Sequence, residues 1–207
     1  MSMTPKVTRR TFLALTGAAC LLTVVAAPRA FAQASPANAF VRQFADQLVA
    51  IINGPDSASV RKAALGPVID HDVDVARIAR FCLGRFWNSA TPAQQTQYTT
   101  VFHQVLLNAI SGHLGDYKGV SYAMIGDSPQ GANTLVGTRI TRPNAATVDV
   151  QWVVETTPAG PKVVDVIAEG TSMRLTSRSD YASFLTQHGD DVGALIGALQ
   201  KQVGQGS

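Results

Sequence analysis

Thr147–Thr156, TVDVQWVVET, sets Val148, Val150, Trp152 and Val154 on one side of an extended chain and Thr147, Asp149, Gln151 and Glu155 on the other. That period of two marks a strand with one apolar and one polar face. Thr157-Pro158-Ala159-Gly160-Pro161 then supplies turn residues before a second apolar run, Lys162–Glu169. Upstream, Thr134–Thr141 reads as a strand, and from Lys118 onward Val120, Tyr122 and Met124 alternate with Ser121 and Ala123. Four such segments joined by short turns predict an antiparallel meander.

Helical signals lie on either side of the meander. Residues 38–52, NAFVRQFADQLVAII, place Phe40, Val41, Phe44, Leu48, Ile51 and Ile52 on one helical face. Asn53-Gly54-Pro55 stops that helix, and Ser57 caps a second through Ile69. Asp72 or Asp74 opens a third, ending near Gly84. Thr91-Pro92-Ala93-Gln94 is a capping box with proline at the first helical position, and its helix runs to about Leu114. Tyr98, Val101, Phe102, Val105, Leu106, Ala109 and Ile110 spread over more than one stripe of it. Two closing helices are predicted over Ser179–Gln187 and Asp191–Gln200. Helices, then strands, then helices give an α+β fold: helices plus a curved antiparallel sheet.

The first residues differ in kind. Lys6, Arg9 and Arg10 precede an apolar run from Phe12 to Ala27, and Ala30-Phe31-Ala32 offers a small-x-small cleavage site. Residues 1–32 therefore read as an export signal, and Thr8-Arg9-Arg10-Thr11-Phe12-Leu13 resembles the twin-arginine type. The signal holds four of the seventeen Lys and Arg and none of the fourteen acids, so residues 33–207 carry thirteen bases and a formal charge of −1. Such a balance argues against nucleic acid as a partner. Cys20 leaves with the signal and Cys82 remains alone, which excludes an internal disulfide. Residues 33–207 fit a single domain with a core of useful size.

No catalytic constellation emerges. Asp165 and Glu169, four residues apart on the last strand, share a face about 13 Å apart, too far for paired carboxylates that need roughly 5–9.5 Å. His71, His103, His113 and His188 have no metal-ligand spacing. Gly119-Val120-Ser121-Tyr122-Ala123 lacks the last glycine of a nucleophile elbow. Cys82 sits among apolar helix neighbours, as buried structural thiols do. What stands out is apolar surface. Tyr122, Met124, Val136, Val150, Trp152 and Val154 of the sheet are placed to face Phe102, Leu106 and Ile110 of the long helix. Periodicity alone reads this set either as a core or as the wall of a pocket.

Two motifs bear on that choice. Arg77–Trp87, RIARFCLGRFW, followed by Ala90–Gln95, ATPAQQ, resembles the "RIARFVLGRYWR-ATPEQ" segment of the MlaC-like toluene-tolerance family. Val163–Leu185, VVDVIAEGTSMRLTSRSDYASFL, resembles that family's "VVDVxVEGVSMxxxxRSxF", and Gly189–Ile196 resembles its closing helix. The likeness runs over almost all of residues 38–203. It departs at Ala159-Gly160-Pro161-Lys162, where relatives often carry an aromatic in "GxWKVVDV". The resemblance implies a periplasmic carrier that shuttles phospholipid between an outer-membrane lipoprotein complex and an inner-membrane ABC transporter complex, maintaining outer-membrane lipid asymmetry. It implies tails in a deep apolar cavity between sheet and helices, a headgroup toward solvent, Asp165 as scaffold, and Gly170–Ser179 as the strand-to-helix connection near the pocket. A monomer with no cofactor and no catalytic residue is the matching expectation. A hopanoid-associated subgroup keeps a polycyclic lipid open as ligand. A pocket enzyme on a cone-like α+β fold, with Asp149 or Asp165 as base, is the competing class.

Overall fold

The computed structural model describes residues 35–205 apart from residue 113. The export signal proposed for residues 1–32 lies outside the described residues. Six α-helices and a five-stranded antiparallel sheet make up the described part: α1 Pro36–Asn53, α2 Ala58–Asp72, α3 Val75–Leu83, α4 Pro92–Gly112, β1 Ser121–Gln130, β2 Asn133–Thr141, β3 Val148–Thr157, β4 Gly160–Ala168, β5 Thr171–Ser172, α5 Met173–Gln187 and α6 Val192–Gln205. The fold is α+β. Strand order is β1-β2-β3-β4-β5, an open meander. Among the described residues no helix is long and apolar enough to cross a membrane.

Local chemistry accounts for the helix starts. Ser35, Ser57 and Asp74 accept hydrogen bonds from Asn38, Val60 and Arg77 N–H, satisfying donors that a first turn leaves free. Thr91 closes its box in both directions: Gln94 N–H donates to Thr91 Oγ1 at 3.2 Å, and Thr91 N–H donates to Gln94 Oε1 at 2.9 Å. Such a cap contributes about 1 kcal/mol.

The ladder decides which side chains share a face, because residues directly opposed in an antiparallel sheet point the same way. Tyr122, Ile140 and Val148 form one row; Met124, Thr138 and Val150 the next. Val136, Trp152 and Val166 form a third, and Thr134, Val154 and Val163 a fourth. This is the inner face, and α1 lies against it. Two irregularities keep it continuous. Ile125 is an extra residue in β1 between Met124 and Gly126, which turns Asp127 inward opposite Val136. Asn38 of α1 then donates to Asp127 Oδ1 at 3.1 Å. In β4, Val164 is the extra residue, since Val153 faces Asp165 while Val154 faces Val163.

Three expectations change. Glu169 is not on the strand: it follows β4 in a turn with φ +50°, so it shares no face with Asp165. Helix α5 begins at Met173 rather than Ser179, so much of Gly170–Ser179 is helix. Its start is held by Ser172, whose Oγ accepts from Leu175 N–H at 3.2 Å, and by Asp165, whose Oδ1 accepts from Arg174 N–H at 3.1 Å. Finally, β1 continues to Gln130 through Gly126 and Pro129, which an edge strand tolerates.

The core has separate parts. Helices α3, α4, α5 and α6 bury Cys82, Leu83, Tyr98, Phe102, Leu185 and Leu195 among themselves, with Tyr98 hydroxyl donating to Ala79 carbonyl at 3.1 Å. Beneath α1, Ala37 and Val41 close over Val136 and Val154. A third group joins Phe44, Ile69 and Val163.

Candidate functional site

The wide apolar surface of α4 serves two places. Phe102 stays in the helical core, its ring 5.9 Å from Tyr98 and 6.4 Å from Tyr181. Leu106 and Ile110, one and two turns on, reach the group around Phe44, Ile69 and Val163, where Trp152 also packs. The structure thus brings Leu106, Ile110 and Trp152 together and leaves Phe102 elsewhere.

The six sheet residues do share the inner face but differ in openness. Val136 and Val154 are sealed under α1, and Val150 is buried beside Thr138. Met124 and Trp152 are half-buried. Trp152 touches both groups. It meets Phe44 edge-on at 5.5 Å between centroids and donates from Nε1 to Thr138 Oγ1 at 2.9 Å. Thr138 hydroxyl in turn faces the Val150 carbonyl at 3.4 Å, so the buried indole N–H and hydroxyl are both satisfied. Tyr122 closes one end, its hydroxyl 2.6 Å from Asp46 Oδ1 and 3.1 Å from the Arg42 carbonyl. Loss of water around the phenol, reinforced by its hydrogen bond to Asp46, raises the Tyr122 pKa to about 12. It therefore anchors β1 to α1 and does not serve as an acid or base near neutral pH.

These contacts form a partly exposed apolar cluster. Phe40 and Leu48 of α1, Leu106, Leu107 and Ile110 of α4, and Trp152 and Val166 of the sheet surround the buried Phe44, and each keeps part of its surface open. Sequence reasoning did not place Phe40, Phe44, Leu48, Leu107 and Val166 in this cluster. The Phe40, Phe44, Leu48 spacing was the available signal, a stripe of large apolar groups every four residues along α1.

Polar groups elsewhere are engaged structurally. Asp149 lies on the outer face, where Arg139 donates to it from Nε at 2.7 Å and from Nη2 at 2.9 Å. That pairing holds its carboxyl below the usual range and keeps it off the inner apolar face. Asp149 also helps line a depression of about 530 Å³, with Arg139, Thr147, Val148 and Glu169, so that four of its five lining residues are polar or charged. Asp165 is buried at 4% exposure and accepts from Val166 N–H at 2.8 Å, Ser172 hydroxyl at 2.5 Å and Arg174 N–H, with Arg174 Nε 3.3 Å away. It fastens the β4–α5 connection. Ser121 is exposed at the start of β1, and the preceding Gly119 has φ +81° with Pro143 Cγ 2.8 Å from where a Cβ would stand. This is a turn into a strand, with no elbow into a helix. Among the described residues no three His, Cys, Asp or Glu group to hold a metal.

Burial, with a smaller push from Asp165, raises the Cys82 thiol from 9.0 to about 12. With the folded pKa above the unfolded one, the linked stability is complete below about pH 9 and is lost as the pH climbs toward 12. Folded protein should accordingly resist iodoacetamide at about pH 8 and label rapidly in denaturant. Prompt labelling without denaturant would reveal an accessible thiolate instead.

Residues 42–201 match the sequence profile of the MlaC protein family. The fold is similar to that of the phospholipid-binding protein from Ralstonia solanacearum, solved in complex with a phospholipid. That likeness has a TM-score of 0.73 at 25% identity and covers 83% of this chain and 99% of the other. With the profile spanning most of the sequence and the fold in agreement, the chain belongs to the MlaC family.

Proposed function

We propose that this protein is a periplasmic phospholipid carrier that shuttles its lipid between an outer-membrane lipoprotein complex and an inner-membrane ABC transporter complex, so maintaining outer-membrane lipid asymmetry. The observation that carries the reading is the partly exposed apolar cluster around Phe44, Trp152, Leu106 and Ile110, in a fold similar to one solved with phospholipid bound. Two acyl chains have about thirty methylenes, each costing about 0.8 kcal/mol in water, or roughly 25 kcal/mol together. A carrier must cover most of that surface, yet hold it no more tightly than a bilayer does. Tyr122, Met124, Val136, Val150 and Val154 lie on the inner face, and Phe102 ties α4 to the helical core. The lipid needs no catalytic group, the chain acts as a monomer, and direction comes from the complexes at either end.

Mass spectrometry of an organic extract of the purified protein tests the ligand. One diacyl phospholipid per chain is expected. A polycyclic triterpenoid would favour the hopanoid-associated reading, while a lipid-free preparation that turns over a soluble substrate would favour an enzyme. Export is tested separately: Arg9→Lys with Arg10→Lys should hold the precursor in the cytoplasm, and unimpaired appearance of mature protein outside would rule out the twin-arginine route.

A further inference from the structure

Arginine is unevenly spread on this chain. Arg77, Arg80 and Arg85 lie on α3 and the 3-10 turn Gly84–Trp87 after it, and Arg174 and Arg178 on the first turns of α5. Two have carboxylate partners: Arg77 with Glu155 at 2.8 Å and Arg174 with Asp165. Arg80, Arg85 and Arg178 are exposed, and among the described residues none forms an ion pair. Their guanidinium groups instead rest on aromatic rings: Arg80 on Trp87 at 5.7 Å, Arg85 on Phe86 at 4.7 Å, and Arg178 on Phe81 at 4.9 Å. Asp180, two residues along α5 from Arg178, forms no ion pair with it.

The placement is built. Gly84 has φ +60°, and a Cβ there would come within 3.2 Å of the Arg178 guanidinium, so glycine lets that group lie against the turn. Arg178 Nη1 also donates to the Phe81 carbonyl at 3.4 Å. Between Arg85 and Arg178 runs a groove of about 340 Å³ floored by Leu83, Phe86 and Ala182.

We infer that this groove is a docking site for a partner protein that presents an acidic segment with an apolar side chain. Charge complementarity points to the acid: of the groove's lining, Arg85 and Arg178 stand without an internal counter-charge, on a chain whose residues 33–207 have a formal charge of −1. The choice of protein over membrane surface follows from geometry. Stacked guanidiniums offer fixed forks that suit carboxylates, whereas bilayer binding relies on flexible cations and protruding apolar groups. The floor is recessed, where a flat bilayer does not reach. Arginine, aromatic residues and methionine are also the groups enriched at protein interfaces. The groove shares no residue with the apolar cluster around Phe44, so the assignment stands apart from the lipid reading.

The test uses a fluorescent peptide of alternating Glu and Leu, its Gln/Leu counterpart, and phosphatidylglycerol vesicles. The proteins are the wild type, Arg85→Ala/Arg178→Ala, Arg178→Lys and Arg139→Ala. The acidic peptide should bind wild type in a salt-sensitive way and bind the double variant at least about tenfold more weakly, with Arg178→Lys between them. Arg139→Ala should match wild type, and lipid per protein should be the same in all four. Equal binding of the neutral peptide, or equal loss in Arg139→Ala, overturns the assignment. Vesicle binding that the double variant loses, with the peptide ignored, overturns it in favour of a membrane surface.

Discussion

Asp165→Ala is expected to lower the stability of the protein by about 3 kcal/mol. Removing one member of a buried ion pair costs roughly 3–5 kcal/mol because the other charge stays behind, and the partial exposure of Arg174 brings the loss to the lower end. Three hydrogen bonds go as well: those from Val166 N–H, Ser172 hydroxyl and Arg174 N–H. For a chain of this size each kcal/mol moves Tm by about 2–4 °C, so a fall of roughly 10 °C is the expected reading. Asp165→Asn keeps an acceptor for the two backbone donors and should lose about half as much. Lipid content of whatever remains folded should be unchanged. A normal Tm with lost lipid transfer would instead give this carboxylate a chemical role.

The second large effect concerns occupancy. Ile110→Trp should place an added indole on the partly exposed cluster that includes Trp152 and, on the proposed reading, displace part of a tail. Losing cover for only two methylenes, at about 0.8 kcal/mol each, weakens binding about tenfold. Since Ile110 is only half-buried, the fold should accept the added volume with little change in Tm. Val136→Trp is the contrasting case. Val136 is fully buried beneath Ala37 and Val41, and forcing an indole there should cost about 1–3 kcal/mol or more through strain. Lipid and Tm measured on both variants separate pocket from core. Equal lipid content in Ile110→Trp and wild type would place the tails elsewhere.

These outcomes track what was legible in the chain. The Thr91–Gln94 box could be read because both partners lie within one helical turn. The β3 alternation could be read because one face packs and the other meets solvent. Val164 could not be recognised as an extra residue, since a bulge is set by the neighbouring strand's register, which no single strand records. The start of α5 was hidden for a similar reason. SMRLTSR has no apolar period, and the groups that start the helix include a carboxylate on the strand before it. Phe102 and Leu106 sit about 40° apart around α4, close enough to look alike by spacing. Which of two cores each one meets depends on where α1 and α5 lie, and that is a tertiary fact.

The division of the core has a mechanical consequence. Among the described residues thirteen buried side chains knit α3–α6, while the groups beneath α1 and around Phe44 bury four and three. Interiors packed densely on all sides resist compression, and sparse ones yield at small cost. On the proposed reading, a guest with two acyl chains needs room that this closed packing does not offer. The sparser packing beneath α1 is then where the fold would yield first, with the α3–α6 side held by its larger core.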